Sequence, residues 1–363
     1  MTRAVVIGAG VGGLAAGIAL QHRGWDVTVR ERAAALENVG AGLAIAPNGL
    51  KALDALGVGD RVRAQAALQG AAGITRPDGR WLARTDAAEA EARYGGPTIV
   101  VHRAVLIDLL AGALKPGTLQ LSDPVGAGEE HTADLVVAAD GIDSATRREL
   151  FPHHPGPVYV GVTSWRIVVP HPGGEVHPVE LWGRGTVFGI AVLGDGRVYC
   201  YATAPARPGE RAADEKAEML RHFGGFAAPV PQLIEAAPTV LRTDIRCLDT
   251  PLPRFHAGRI ALLGDAAHAM TPNLGQGGCQ ALEDAVVLAS CAGQDGGLER
   301  YSALRAPRTK AVAVASRRIN RMTRLRHPAA VWARNAGMTL GGRLASDLVL
   351  RQMDPILGWR PPA

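Results

Sequence analysis

The chain has 363 residues, of which 47% are hydrophobic and 20% are charged, and its formal net charge is +5. This composition is globular and excludes a low-complexity chain, and the length is sufficient for two or three structural units with a substantial core. No apolar run approaches the roughly 18 residues of a membrane span, and the four cysteines have no metal-ligand spacing, so we expect a reduced, cytoplasmic chain without a metal site.

The N-terminal residues predict a β-α-β unit. Residues 3–7 form an apolar strand, residues 8–13 (GAGVGG) a glycine loop, residues 14–23 a short helix and residues 26–30 a second strand that ends at Glu31. In this context GxGxxG predicts dinucleotide binding. Gly8 permits the tight turn, Gly10 lets a pyrophosphate approach the helix N-terminus, and Gly13 allows close packing of helix on strand. Glu31 suits a ribose diol.

Later segments alternate between two kinds of structure. We expect irregular or hairpin structure at 76–97, a helix at 102–114 and a buried strand at 134–139. Antiparallel strands are expected within 158–203 and a charged helix at 209–223. A short strand at 259–263 with a helix after it, and helices from 299 to about 351, complete the chain. The fold class is therefore α/β. A discontinuous Rossmann-like domain (1–75, 98–157 and 256–298) carries an inserted antiparallel-sheet substrate domain (76–97 and 158–255), and C-terminal helices follow (299–363).

The basic excess lies late in the chain. Between Glu299 and Arg351 there are eleven Arg and one Lys against two acidic residues. We interpret this segment as a solvated helix face, with a basic field for anionic ligands as the alternative. Nucleic-acid binding is disfavoured because the segment has neither interleaved aromatic residues nor a known module.

A second glycine-rich segment, GDAAHAMTPNLGQGGCQALEDA, occupies residues 264–285. A carboxylate at the strand end, Asp265, can hold a sugar-like diol, and Pro272 fixes the backbone. Gly275, Gly277 and Gly278 let backbone N–H groups approach a planar ligand at a helix start, where the helix dipole favours negative charge on that ligand. Two further segments, taken alone, are compatible with a purely structural role. Arg103 can be a surface residue, and ADGIDS (139–144) can be a turn with a helix cap from Asp143 or Ser144.

Taken together, GAGVGG with Glu31, GAGLAIAPNG (40–49), HRAVL (102–106), ADGIDS and the segment at 264–285 resemble the FAD-dependent aromatic-ring hydroxylases, the group A flavoprotein monooxygenases with a para-hydroxybenzoate hydroxylase-like fold. The resemblance covers essentially the whole chain. It implies that Glu31 binds the adenosine ribose, Arg103 lies along FAD and Asp265 contacts the flavin-side sugar. Asp140 with Gly141 serves FAD and the pyridine nucleotide, and residues 272–278 line the isoalloxazine ring. The expected cofactor site comprises Gly8, Gly10, Gly13, Glu31, Arg32, Gly42, Arg103, Asp140, Asp265, Pro272, Gly275, Gln276, Gly277 and Gly278.

The reaction implied by the resemblance is a monooxygenation. NADH or NADPH reduces FAD, O2 gives a C4a-hydroperoxyflavin, and the distal oxygen passes to an aromatic or other electron-rich small molecule, so that no side-chain nucleophile is needed. The alternatives are a flavin-dependent reductase or oxidase, a fold member with a non-hydroxylating reaction, and a non-catalytic FAD-binding protein. Monomer and homodimer both remain open.

Substrate contacts are expected from the antiparallel sheet. Arg197, Tyr199 and Tyr201 share one strand face by period two, and Pro272 lies on the flavin side. Trp165, Trp182 and Phe188 are further candidates, and sheet packing is the alternative role for each. Compared with urate hydroxylases, Tyr199 is retained, but Thr186 and Asn273 stand near the positions of their substrate-binding Arg and their Asp, which argues against urate.

Overall fold

The computed structural model describes residues 2–36, 41–68, 72–85, 87–126, 132–174, 176–344 and 346–362. Gly40, the first residue of the second glycine motif, lies outside this range. The strands in chain order are β1 (Arg3–Ile7), β2 (Asp26–Arg30), β3 (Gly42–Ile45), β4 (Ala67–Leu68), β5 (Ala72–Thr75), β6 (Trp81–Thr85), β7 (Ile99–His102), β8 (Leu119–Gln120), β9 (Leu135–Ala138), β10 (Val158–Val169), β11 (Val179–Trp182), β12 (Val187–Val192), β13 (Val198–Pro205), β14 (Leu241–Cys247), β15 (His256–Ala257) and β16 (Ile260–Leu262).

The helices are α1 (Val11–His22), α2 (Pro47–Ala55), α3 (Gly59–Arg63), α4 (Ala87–Tyr94), α5 (Arg103–Ala111), α6 (Ala145–Leu150), α7 (Glu215–Phe223), α8 (Val230–Glu235), α9 (Asp265–His268), α10 (Gly277–Cys291), α11 (Gly297–Thr323), α12 (Pro328–Leu344) and α13 (Ser346–Leu357), with a 3₁₀ turn at Pro272–Leu274. Within the described ranges, no helix is long and apolar enough to cross a membrane.

A six-stranded sheet joins the early and late parts of the chain. Its order is β15-β16-β9-β1-β2-β8, and every pair except β15–β16 is parallel. Helices α1 and α10 pack closely on it. A Cβ at Gly12 of α1 would lie 2.5 Å from Cδ2 of Leu263, which follows β16, and 3.1 Å from the Cβ of Ala281 in α10. This pairing confirms the discontinuous Rossmann-like fold, in which the segment after residue 256 returns to the first strand.

The inserted sheet has seven strands in the order β14-β10-β13-β12-β11-β5-β6. All pairs are antiparallel except β11–β5, which confirms the antiparallel sheet expected in 158–203. The expected boundary after residue 75 separates β5 from β6, although the two strands form one hairpin of this sheet. The pairing favours assigning residues 72–75 to the sheet domain, and the domain limits otherwise remain a proposal.

A small antiparallel sheet, β3-β7-β4, connects the two larger ones. A Cβ at Gly42 would lie 2.4 Å from Cδ1 of Tyr199 on the seven-stranded sheet. Strand β3 also contacts the late glycine loop. A Cβ at Gly278 would lie 3.3 Å from Cδ2 of Leu43, and a Cβ at Gly275 would lie 3.6 Å from the Cβ of Ala44. Strand β3 therefore contacts both the loop and the substrate-side sheet.

Several element limits differ from the sequence-based expectations. Helix α1 begins at Val11, inside the expected loop, and α7 begins only at Glu215, where the Asp214 carboxylate accepts hydrogen bonds from the N–H groups of Lys216 and Ala217. The 76–97 segment contains helix α4 as well as strand β6. The C-terminal region is helical as expected, to Leu357.

Candidate active site

Six of the expected cofactor residues line one cavity of about 380 Å³ at the carboxyl edge of the six-stranded sheet. These residues are Gly8, Gly10, Glu31, Arg32, Arg103 and Asp140. The carboxyl ends of parallel strands are the usual ligand edge of an open α/β sheet. Gly13, Gly42, Asp265 and the residues from Pro272 to Gly278 lie outside the lining of this cavity.

The three glycines of the first loop have distinct local geometries. Gly8 has φ of +99°, and a Cβ there would lie 2.6 Å from the carbonyl oxygen of Ala139. A Cβ at Gly13 would lie 1.9 Å from the carbonyl oxygen of Gly8, whereas one at Gly10 would meet no atom within 4 Å. Gly8 and Gly13 thus serve the close packing of strand and helix. Gly10 leaves open space at the N-terminus of α1, where backbone N–H groups favour an anion.

The Glu31 carboxylate is oriented by the backbone. One oxygen accepts a hydrogen bond from the N–H of Ala9 at 2.8 Å and the other accepts one from the N–H of Ala33 at 2.9 Å. Because an ionised carboxylate has about four acceptor sites, both oxygens can still accept a hydroxyl from a diol.

Asp140 presents an unsatisfied acceptor to the cavity. Its Oδ2 accepts hydrogen bonds of 3.2 Å from the N–H and the hydroxyl of Thr146, but its Oδ1 is buried without a partner. A buried polar atom without a partner costs free energy that a bound donor would recover. Ser144 caps helix α6 by accepting from the N–H of Arg147 at 2.9 Å, which confirms one of the two caps considered for this segment.

The late glycine loop forms a second group of expected residues. Asp265 begins α9 and its side chain is open to solvent, although the surrounding protein partly desolvates it. This desolvation raises the pKa of the Asp265 carboxyl, and the positive charges of His268, Arg103 and Arg147 oppose the rise. Gly275 has φ of +61°, in the left-handed region. A Cβ at Gly277, the first residue of α10, would meet no atom within 4 Å, so open space lies in front of this helix start.

A buried polar network supports this loop from behind. The side-chain oxygen of Gln276 accepts hydrogen bonds from Asn48 at 2.9 Å and from Gln280 at 3.1 Å. Asn48 also donates to Glu283 at 2.7 Å. Gln276, expected to contact the cofactor, is therefore buried in this network in the structure, and it connects the loop to α2 and α10.

Two arginines of α11 complete the network. Arg305 is 1% exposed and lies 2.5 Å from the carboxylates of both Glu283 and Asp284, while Arg308 contacts Glu283 at 2.6 Å. Asp284 also accepts from the N–H of Gly264 at 2.9 Å and contacts His268 at 2.5 Å. Burial alone would raise the pKa of Asp284, but the charges of His268 and Arg305 outweigh it and hold the pKa well below its usual range.

The network corrects one expectation about the basic C-terminal segment. A solvated face was expected, but Arg305 is fully buried and Arg308 is mostly buried. Their carboxylate partners on α10 neutralise them. These two arginines therefore stabilise the helix that follows the late glycine loop.

The substrate-side face of the seven-stranded sheet carries Tyr199 and Tyr201, as period two predicts. We call the side of this sheet that bears Tyr199 and Tyr201 the tyrosine face. Their ring centroids are 5.8 Å apart, and Tyr199 packs against Gly42 of β3. Burial raises the pKa of Tyr199 to about 12, although the charge of Arg166 opposes the rise. Trp182 shares this face, and its indole N–H donates to Glu180 at 2.7 Å.

The other substrate-side candidates lie in three different places. Arg197 precedes β13 in a hairpin turn, is exposed, and forms an ion pair of 2.6 Å with Asp195. Trp165 and Phe188 point to the opposite face of the sheet, where they pack with Phe223 of α7. Pro272 is exposed at the late glycine loop.

Sequence reasoning missed Arg166 and Glu180 of the tyrosine face. A signal was present, because each is a charged residue inside an apolar strand, in SWRIVV and in VELW. Alternation separates each from the adjacent residues of its own strand, but the register across the sheet is needed to place both on one face, and the sequence does not show which face the cofactor domain covers.

The chain matches the FAD binding domain family over residues 1–123 and 118–316. An aurachin C monooxygenase/isomerase of Stigmatella aurantiaca is 38% identical, with 95% of each chain covered. The protein belongs to the FAD-dependent aromatic-ring hydroxylases. Members of this family related to the chain include a 3-amino-4-hydroxybenzoate 2-monooxygenase of Streptomyces cremeus, 33% identical over 87% of this chain and 86% of the relative. The structure of Klebsiella pneumoniae HpxO with FAD and uric acid matches with a TM-score of 0.89 and 29% identity, covering 98% and 97% of the two chains.

The residues of this hydroxylase fit FAD, its cofactor. The cavity combines an open helix N-terminus at Gly10, a backbone-oriented carboxylate at Glu31 and the unsatisfied oxygen of Asp140. These groups suit a pyrophosphate and hydroxyl groups. The open space at Gly277 suits the approach of a ring. Among the described residues, no cluster of His, Cys, Asp or Glu has the arrangement of a metal site.

Proposed function

We propose that this FAD-dependent monooxygenase uses NADH or NADPH and O2 to insert one oxygen atom into an aromatic or other electron-rich small molecule. The observation that carries the proposal is the position of β3, which contacts both the late glycine loop and Tyr199 of the sheet. This arrangement supports a substrate site between the tyrosine face and a flavin seated at the loop. When bound, FAD supplies the redox and oxygen-activating chemistry.

The side chains then have binding and positioning roles rather than nucleophilic ones. Gly10 and the start of α1 would hold the pyrophosphate, Glu31 and Asp265 the two sugar-like ends, and Arg103 and Asp140 the middle of the cofactor. The N–H groups at Gly277 and Gly278 would favour negative charge that develops on the flavin ring. The apolar packing of Tyr199, Val168 and Ala191 would exclude water from the reacting centre.

The direct test is an isotope experiment with purified holoenzyme and a panel of aromatic compounds. NAD(P)H oxidation with incorporation of ¹⁸O from labelled O2 into a product supports the proposal. Turnover without label would favour the alternative, which is a flavin-dependent reductase, oxidase or non-hydroxylating enzyme. One relative is named a monooxygenase/isomerase, so a second reaction type occurs among the relatives. Failure of both nicotinamides to reduce the flavin would contradict the proposal.

Asp265→Ala is expected to weaken FAD binding by about 10- to 150-fold, because hydrogen bonds from hydroxyl groups to a charged carboxylate contribute about 1.5–3 kcal/mol. The measurement is flavin content per chain after gel filtration, with a titration of the apoprotein by FAD. Asp265→Asn, which retains an acceptor oxygen, should bind FAD with intermediate affinity. Full FAD occupancy of the alanine variant would refute the role of Asp265.

Two positions, Thr186 and Asn273, bear on which substrate of this class the protein uses. Thr186 lies in the β11–β12 turn and Asn273 in the 3₁₀ turn, and neither carries the charge expected of a urate site. We therefore propose that urate is not the substrate, even though a structural relative binds uric acid.

A further inference from the structure

Helix α12 presents an uncharged side to solvent, which we call the outer side of α12. Its exposed residues are apolar or small: Ala329, Trp332, Ala333, Ala336 and Leu340. Spacings of three and four residues place them on one side of the helix over about three turns. Trp332 is 73% exposed and Leu340 is 60% exposed. A surface helix normally turns polar residues to water, so this side has the polarity of a contact surface.

A charged residue of the same helix points inward. Arg334 is buried, and its guanidinium donates to the carbonyl of Gly183 at 3.2 Å and to that of Met322 at 3.3 Å. It also lies 5.5 Å from the ring centre of Trp182. Residues two positions apart in a helix lie about 200° apart around its axis, so these contacts of Arg334 direct Trp332 away from the protein. The packing of α12 therefore fixes the exposure of Trp332.

Exposed arginines precede this helix. Arg318 and Arg321 lie in the last two turns of α11, and Arg326 lies in the turn that leads into α12. Within the part of the chain that the structure describes, none of these three forms an ion pair. The sequence has no acidic residue between Glu299 and Asp347. Nothing in α12, or in α11 beyond its first turn, therefore offsets their charge.

Cations next to an uncharged aromatic surface match an anionic lipid bilayer. Tryptophan is enriched where membrane and water meet, and basic residues near an anionic leaflet are attracted to it. A second copy of the chain would bring the same arginines to the contact, and like charges would repel. A nucleic-acid backbone would match the arginines but not the apolar outer side of α12.

We propose that the outer side of α12 and the arginines before it form a docking surface for an anionic membrane. Trp332 and Leu340 enter the boundary between lipid head groups and acyl chains, while Arg318, Arg321 and Arg326 lie near lipid phosphates. The contact is peripheral, because no helix in the described ranges is long and apolar enough to cross a membrane. It concerns where the enzyme works and does not depend on the reaction at the flavin.

The test is co-sedimentation of the purified holoenzyme with lipid vesicles. One set of vesicles contains phosphatidylcholine and phosphatidylglycerol at a molar ratio of about 2:1, and the other contains phosphatidylcholine alone. We expect binding to the anionic vesicles and at least tenfold weaker binding to the neutral ones. Raising NaCl from about 0.05 M to about 0.5 M should release most of the protein, because salt screens exposed charges.

Trp332→Ser should weaken binding to the anionic vesicles by about 10-fold or more, because it removes a large apolar side chain from the contact. Trp332→Phe should retain most of the affinity. Arg318→Gln combined with Arg321→Gln should weaken binding by about 25-fold, since each arginine near an anionic surface contributes about fivefold. These variants should keep wild-type flavin content and unfolding midpoint, because the replaced side chains are exposed.

Two control variants match these changes elsewhere on the surface. Leu121→Ser removes an exposed apolar side chain directly after β8. Arg23→Gln combined with Arg61→Gln removes two exposed charges, one directly after α1 and one in α3. Both controls should bind the anionic vesicles nearly as well as the wild type, because neither changes α12 or the arginines before it.

Four results would overturn the inference. The first three are no binding to anionic vesicles at low salt, equal binding to anionic and neutral vesicles, and wild-type binding by both Trp332→Ser and the Arg318/Arg321 double variant. The fourth is self-association in light scattering that Trp332→Ser abolishes while vesicles bind neither protein, which would assign the surface to a second copy of the chain.

Discussion

A Gly277→Val variant is expected to fold normally and to purify almost without FAD. In the protein alone, a Cβ at this position meets no atom within 4 Å, so the side chain has room. With the flavin seated at the start of α10, the added side chain would occupy the ring's space. Overpacking costs about 1–3 kcal/mol or more, which corresponds to roughly 5-fold to more than 100-fold weaker binding. The measurement is flavin absorbance per chain together with the thermal unfolding midpoint of the apoproteins.

The matched control for this variant is Gly337→Val. Gly337 also lies in a helix, α12, and a Cβ there meets no atom within 4 Å. It is remote in sequence from the cofactor residues, so we expect wild-type flavin content. If Gly277→Val retained full FAD and normal turnover, the flavin would have to lie elsewhere, and the assignment of the late glycine loop would be wrong.

Arg305→Leu is expected to lower the free energy of unfolding by about 3–5 kcal/mol, the cost of removing one partner from a buried ion pair. The guanidinium lies 2.5 Å from Glu283 and from Asp284, and both carboxylates are 0% exposed. Without Arg305, the two buried carboxylates keep the ion pair of Arg308 with Glu283 and the hydrogen bond of His268 with Asp284. Urea denaturation of the apoprotein, followed by circular dichroism, measures the change.

Arg300→Leu provides the comparison for the charge change on the same helix. Arg300 is exposed near the start of α11, and surface substitutions of this kind change stability by about 0.5 kcal/mol or less. Similar unfolding midpoints for the two variants would show that the buried network contributes little. A large loss for Arg305→Leu alone would support its role beneath the late glycine loop.

The parts of the fold that were predictable from sequence depend on local patterns. The first β-α-β unit follows from an apolar run, a glycine loop and a second apolar run, and these are contiguous in the chain. The strands within 158–203 follow from alternation, and that alternation also places Tyr199 and Tyr201 on one face. The return of residues 260–262 to the first sheet was inferred because the late segment repeats a strand, glycine loop and helix.

The parts that were not predictable depend on contacts between distant residues. Burial of Arg305 depends on carboxylates more than twenty positions earlier, and a sequence window of basic residues does not show them. Alternation defines two faces of a strand without saying which one meets the cofactor, so Trp165 and Phe188 were wrong candidates. Arg197 stays a prediction: it lies exposed just before β13, its carbonyl accepts a hydrogen bond from Leu193, and its ion pair with Asp195 could not be read from period two.

The positions of the cofactor residues illustrate the same limit. The family resemblance implied that Glu31 and Asp140 both serve FAD, and both line the same cavity. The unpaired Oδ1 of Asp140 and the unpaired Nε of Arg166 follow only from the three-dimensional arrangement of their neighbours.

The central claim is that the protein is an FAD-dependent monooxygenase that uses NAD(P)H and O2. It is tested most directly by incubating the purified yellow holoenzyme with NADH or NADPH, ¹⁸O2 and an aromatic substrate panel, followed by mass spectrometry of the products. We expect one ¹⁸O atom in a hydroxylated or epoxidised product, with about one nicotinamide oxidised per product. Flavin reduction with product formation but without label, or no flavin reduction by either nicotinamide, would contradict the claim.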